Sequence, residues 1–289
     1  MIIDVHTHAP LRQAPEPAEA RVSTISRPDK AVAWAQGPEA YLKAMEAVDR
    51  AICFNIAGDP RPGAVGDWRT PARQVNDDTA AFVREQGPKF IGYMTLHPYE
   101  PDALEELERA CTDLGLRGIK LGPNYQHFDP LCDEAMRLYR RAEELGLPML
   151  FHTGTSPEQF AELDWAHPRH LDRIAIAFPK LRIVLAHMSH PWQRDCIAVI
   201  RKHPNLYADI SALFYRPWSW YDCMRLATEW SVLPKLLFGS DFAAATPQET
   251  IDGLRAVNDI PRKTGLPHIP EDEVERIISR DSLELLGLG

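Results

Sequence analysis

Residues 2–8 read Ile2-Ile3-Asp4-Val5-His6-Thr7-His8, an apolar run that ends in two imidazoles two positions apart. Residues i and i+2 of a strand face the same side, so His6 and His8 can converge on one metal ion. By the same parity Asp4 is expected to point inward one layer deeper, as a partner of the site rather than a ligand. Three later apolar runs also end in a polar group. Met149-Leu150-Phe151 closes in His152, the run from Ile183 closes in His187, and the run from Leu236 closes in Asp241.

Working outward, eight strand-like runs can be marked, over residues 2–6, 51–56, 90–96, 118–121, 149–152, 182–187, 206–211 and 236–240. Between them lie segments with apolar residues at helical spacing, such as Leu104, Leu107, Ala110, Cys111 and Leu114. Gly115 and Gly146 stand where C-terminal helix caps are expected. Strand and helix alternation predicts a parallel α/β sheet, which an open doubly wound fold would share. Chemistry gathered at the C-terminal ends of several strands points instead to a (β/α)8 TIM barrel. We therefore expect residues 1–289 to form one hydrolase-type barrel domain, with long loops after strands 1 and 2 (residues 9–37 and 57–71) acting as lids. Residues 271–286 are expected to form a single closing helix.

Composition narrows the partners. The chain has 289 residues and a formal net charge of -9, so a basic face for nucleic acid or anionic membrane is not expected. No apolar stretch approaches the roughly 20 residues that span a bilayer, and no signal peptide is evident, so a cytoplasmic location is expected. The partner is expected to be a small-molecule substrate, with Arg12, Arg61, Arg69 and Arg73 available to clamp a carboxylate. Association into a homo-oligomer is left open. Cys53, Cys111, Cys132, Cys196 and Cys223 show no C-x-x-C spacing and read as free thiols.

A mononuclear hydrolytic zinc site needs three or four nitrogen or oxygen ligands and an open position for water. His6, His8, His152 and Asp241 supply that set for one divalent ion, most simply Zn2+. Asp241 could also take the proton of the attacking water; a helix N-cap is its plainer role, for which Thr246 competes. His187 is either a further ligand or a proton donor and acceptor. Lys120 in Gly118-Ile119-Lys120-Leu121 reads as a buried lysine paired with Asp4 or with a substrate carboxylate, a carboxylated metal-bridging lysine being the other possibility. His97, Arg61, Tyr215 and Trp218 are candidate substrate contacts. His127 shares the same loops, and the aromatic run 214–221 could wall the pocket or simply pack on the barrel.

Taken in order, Ile3-Asp4-Val5-His6-Thr7-His8, Gly118-Ile119-Lys120-Leu121, Phe151-His152-Thr153-Gly154, Leu185-Ala186-His187-Met188 and Phe238-Gly239-Ser240-Asp241-Phe242 resemble the amidohydrolase superfamily, in its amidohydrolase-related branch (amidohydrolase family 2). The resemblance implies a distorted (β/α)8 barrel holding one divalent ion, usually zinc, on the residues matching His6, His8, His152 and Asp241. It implies that the residue matching His187 assists proton transfer. The branch includes hydrolases of lactones, esters and amides, and also non-oxidative decarboxylases of aromatic or unsaturated carboxylic acids. Relatives of the decarboxylase group usually lack a lysine at the Lys120 position, and no arginine in a second-strand motif matches theirs, Arg61 being offset into a loop. The reading is therefore a metal-dependent hydrolase of a small carboxylated or cyclic ester, lactone or amide, with the decarboxylase as alternative.

Overall fold

The computed structural model describes residues 1–10, 22–23, 27–34, 36–64 and 70–289. Among them, parallel strands alternate with helices around a barrel. The strands are Ile3–His8, Arg50–Phe54, a third in two pieces (Phe90–Gly92 and Met94–Thr95), Ile119–Leu121, Met149–Phe151, Ile183–Leu185, Leu206–Asp209 and Leu236–Leu237. Each is followed by a helix, from Pro38–Ala44 after the first to Pro247–Arg255 after the eighth.

Hydrogen bonds run round the ring in two sheets that meet at two seams. At Tyr93 the third strand changes partner: the Tyr93 N–H donates to the Cys53 carbonyl at 3.0 Å, and the Met94 N–H to that of Gly118 at 2.8 Å. At the other seam the Val5 N–H donates to Phe238 O at 3.0 Å and the His8 N–H to Phe242 O at 2.9 Å, with a parallel bridge between Thr7 and Phe242. The fold is a TIM-type (β/α)8 barrel.

The inward positions below the site are apolar. Ile3, Val5, Ile52, Phe54, Leu150, Val184 and Leu237 form one buried cluster, joined by Leu283 and Leu286 from the C-terminal helix. Burying each such side chain stabilises the fold by roughly 1.5–3 kcal/mol. A second cluster, including Leu107, Ile119, Leu138 and Met149, lies between strands and helices.

Three expectations shift. The first strand is bulged: its pairing with the second slips between Asp4 and Thr7. Parity is lost there, so Ile3 and Val5 join the inner cluster below the slip while Asp4 does not line the barrel with His6 and His8. Asp4 is instead felt electrostatically by Tyr41, a residue of the outer core, and its Oδ1 accepts the N–H groups of His6 and Ser240, each at 3.0 Å. Second, strands six and eight stop short of the polar groups. His187, Met188 and Ser189 have φ of 57°, 44° and 55°, and Asp241 has 59°, left-handed values that end a ladder. Third, residues 271–286 are two helices, Glu271–Ser279 and Ser282–Leu286, because the Asp281 side chain caps the second by accepting the Glu284 N–H at 3.1 Å.

All five cysteines are free, and Cys53, Cys196 and Cys223 are buried. Among the described residues no helix is long and apolar enough to cross a membrane. Part of the loop after the first strand, with Arg12, and part of the loop after the second, with Arg69, lie outside the described residues. Of the first loop, Val22–Ser23 pairs antiparallel with Val32–Ala33.

Candidate metal centre

His6 and His8 project from the bulged end of the first strand, and the turn after the eighth strand brings Asp241 to them across the seam. The Asp241 N–H is tied to the His6 carbonyl at 2.8 Å. His6 Nε2 and His8 Nε2 each stand 3.3 Å from Asp241 Oδ1. The ligand atoms of these three residues lie within 4.8 Å of one another, close enough to share an ion. Asp241 has no capping duty, since Thr246 caps the following helix in a capping box with Glu249.

His152 stands outside that spacing but next to it. Its ring lies 5.1 Å from that of His187 and 4.5 Å from that of Tyr125. Buried Nε2 of His152 has no hydrogen-bond partner among the described residues, which is costly for a polar atom unless something else satisfies it. His187 in turn lies 4.9 Å from the His6 ring.

Asp209 was not singled out in the sequence, yet it sits at the centre of the polar network. It ends the seventh strand, as His152 and His187 follow the ends of theirs, and that shared placement was the available signal. His6 Nδ1 donates to Asp209 Oδ2 at 2.9 Å, while Asp209 Oδ1 accepts the His187 N–H at 3.0 Å and also the Ser211 hydroxyl. With Nδ1 of His6 spent in this way, its Nε2 presents a lone pair towards Asp241.

Lys120 is fully buried in the same space. Its Nζ donates to His6 Nε2 at 3.3 Å and lies 4.6 Å from the centre of the Phe54 ring. It does not pair with Asp4, which faces elsewhere because of the bulge. Burial pulls the Lys120 pKa down to about 8, against the attraction of Asp241 and Asp209. Burial, and then Lys120, pull His6 down to about 4. For Asp241 burial works upward, but His6, the hydrogen bond from His8 and the nearby His187 outweigh it and hold the carboxyl well below the usual range. Burial likewise works against Asp209, and His6, His187 and Ser211 again win. The ionised Asp241 carboxylate, the Nε2 atoms of His6 and His8 beside it and the orphaned His152 nitrogen are a donor set suited to a divalent cation.

The other expected contacts are placed as follows. His97 is buried with both ring nitrogens engaged, Nε2 with Gln126 O at 2.6 Å and Nδ1 with the Tyr99 N–H at 3.2 Å. It ties loops together rather than facing a substrate. Arg61 is held by both oxygens of Asp59 and by His127 O at 2.7 Å, over the Tyr99 ring. Arg73 is an exposed partner of Asp102 and Glu106. Tyr215 is buried against the Arg27 guanidinium, 4.5 Å away, and is close enough to Asp241 to feel its charge. Trp218 is 65% exposed on the first turn of the helix Pro217–Glu229, whereas Trp220 and Tyr221 pack into the core.

The family model described as amidohydrolase matches residues 3–288. The chain belongs to the amidohydrolase family. Such enzymes are metal-dependent hydrolases and decarboxylases. A dihydroorotase from Helicobacter pylori (strain G27) is 31% identical over 136 residues, 45% of this chain and 39% of that protein, so the chain spans about two fifths of the length of this curated relative. A TIM-barrel protein from Bordetella bronchiseptica superposes with a TM-score of 0.71 at 21% identity, covering 99% of this chain and 98% of that one. The 5-carboxyvanillate decarboxylase of Novosphingobium aromaticivorans, solved with bound manganese, gives 0.68 at 14% identity and coverage of 100% and 97%. At these identities the two structures speak for the fold.

Proposed function

We propose that this amidohydrolase is a zinc-dependent hydrolase of a small ester, lactone or amide, with His6, His8, His152 and Asp241 holding the ion. The observation that carries the reading is the convergence of two Nε2 atoms on one carboxylate oxygen of Asp241. When bound, a divalent ion supplies Lewis acidity, polarising a carbonyl and easing deprotonation of a water.

The chain's own residues divide the remaining work. Asp241, kept ionised by its imidazole neighbours, accepts a proton from the attacking water. His187, beside His6 and His152, carries the second proton transfer, to the leaving group. Lys120, an ammonium in a buried site, binds a substrate carboxylate or the oxyanion that develops at the carbonyl. Arg27 anchors the described part of the first loop beside this space by donating to Ala244 O at 3.1 Å.

A second reading, loss of carbon dioxide from an aromatic carboxylic acid, draws on the barrel shared with the 5-carboxyvanillate decarboxylase of Novosphingobium aromaticivorans. Elemental analysis of the purified protein, and of His6→Ala, His152→Ala and Asp241→Asn, tests the site; one zinc per chain, lost in the variants, is expected. A panel of lactones, cyclic amides and aryl esters set against dihydroxybenzoates tests the reaction. Turnover that releases carbon dioxide without consuming water would transfer the assignment to the lyase.

A further inference from the structure

The buried network around Asp209 fixes where the protons of His187 sit. Asp209 Oδ1 receives two backbone N–H groups, so towards the Ser211 hydroxyl it can only accept. Its Oδ1 takes the hydroxyl proton of Ser211 and, at 3.1 Å and 3.0 Å, the backbone N–H groups of Ser211 and His187. A serine hydroxyl has one proton to give. Ser211 has spent it on Asp209, so the 2.8 Å contact between Ser211 Oγ and His187 Nδ1 requires the imidazole to be the donor. The same carboxylate accepts from His6 Nδ1 through its other oxygen.

We propose that Asp209 and Ser211 are positioning residues that keep a proton on His187 Nδ1 permanently and so confine proton exchange by this ring to Nε2. The inference rests on the reading of His187 as the proton-transfer group. It adds a direction to that role: in its neutral form the ring presents a bare Nε2, so it must first accept a proton, the one Asp241 takes from the attacking water, before it can give one to the leaving group. The imidazolium so formed keeps its Nδ1–H on Ser211, and through Ser211 it faces the Asp209 carboxylate. One buried carboxylate thereby orients both His6, a ligand in the proposed function, and His187, its proton carrier. The His187 N–H bond to Asp209 further holds the backbone turn, at φ 57°, that aims the ring.

The test is 15N NMR of the full chain, as purified, with 15N-labelled histidine, at a pH about two units above the ordinary imidazole pKa of ~6.5. Loss of signals in His187→Gln assigns the ring. Wild type is expected to show a protonated Nδ1 and a bare Nε2; Ser211→Ala is expected to lose that pattern, giving the Nε2–H form or an exchange average, and Ser211→Thr to retain it. An Nε2–H ring in wild type, or an unchanged pattern in Ser211→Ala, overturns the proposal. The wild-type spectrum decides even if a variant fails to fold. Zinc content of the same sample separates the two readings: the expected ring form without metal sinks the hydrolase assignment alone, and metal with the opposite form sinks this inference alone.

Discussion

A Cβ placed on Gly239 would stand 3.0 Å from the Cβ of His6 and 3.4 Å from that of Asp209. Glycine here lets the eighth strand approach the first closely enough for Asp241 to reach His6 and His8. Gly239→Ala is therefore expected to fold, at a cost of about 1–3 kcal/mol for overpacking, but to displace the His6 ring. Metal affinity should fall about 10–100-fold, as for loss of a supporting contact to a ligand. Zinc titration beside thermal unfolding reads both; unchanged affinity would detach Gly239 from the site.

His97 leads to the opposite pattern. Its two nitrogens serve the Gln126 carbonyl and the Tyr99 N–H, so His97→Ala strands two backbone groups and should destabilise by about 1–3 kcal/mol. Metal content per folded chain is expected to stay at the wild-type level. Loss of metal without loss of stability would return His97 to the reacting centre.

These two residues also mark what a sequence can and cannot reveal. His6, His8, His152, His187 and Asp241 were legible because each polar side chain ends an apolar run, and a barrel gathers such ends on one face. Asp209 obeys the same rule, but the apolar pattern runs on to Ser211, two residues past the end of the strand, and hides it. Alternation carries no mark of a bulge, so it turns Asp4 to the face of His6 and His8. The slip at Val5 and His6 is tied to the neighbouring strand, where the Asp4 carboxylate accepts the Ser240 N–H, a contact 236 positions away in sequence. His97 looked like a loop residue exposed to substrate, and only packing shows that both nitrogens are taken. The break at Asp281 was readable in principle, as an N-cap residue three positions before Glu284.

Arg27 fastens the described end of the first long loop to the rim of the site. It is buried, pairs with both oxygens of Asp29, donates to Ala244 O three residues beyond Asp241, and stacks on Tyr215. Arg27→Ala should lose about 1–3 kcal/mol through these bonds and the ring contact. Limited proteolysis is expected to cut the loop faster than in wild type while the barrel core stays resistant. Equal cutting rates would mean that the loop is held by other contacts.

Lys120 places function and stability in opposition. A buried ammonium costs free energy that a thioether of similar length does not, so Lys120→Met in metal-free protein is expected to raise stability by about 1–3 kcal/mol near neutral pH. The gain should depend on pH in a definite direction. The folded pKa of about 8 lies below the ordinary 10.5, so between these values the unfolded chain binds more protons than the folded one. Wild-type stability relative to the variant therefore rises as pH increases through that window, and the advantage of methionine, full below pH 8, shrinks towards pH 10.5. Paired denaturant titrations at pH 7 and pH 10 measure this difference. Turnover of any substrate found for the wild type is expected to fall about 100-fold or more in the variant, as when an oxyanion-stabilising donor is removed. A variant that is no more stable than wild type at pH 7 would show that the Lys120 charge is satisfied by its surroundings.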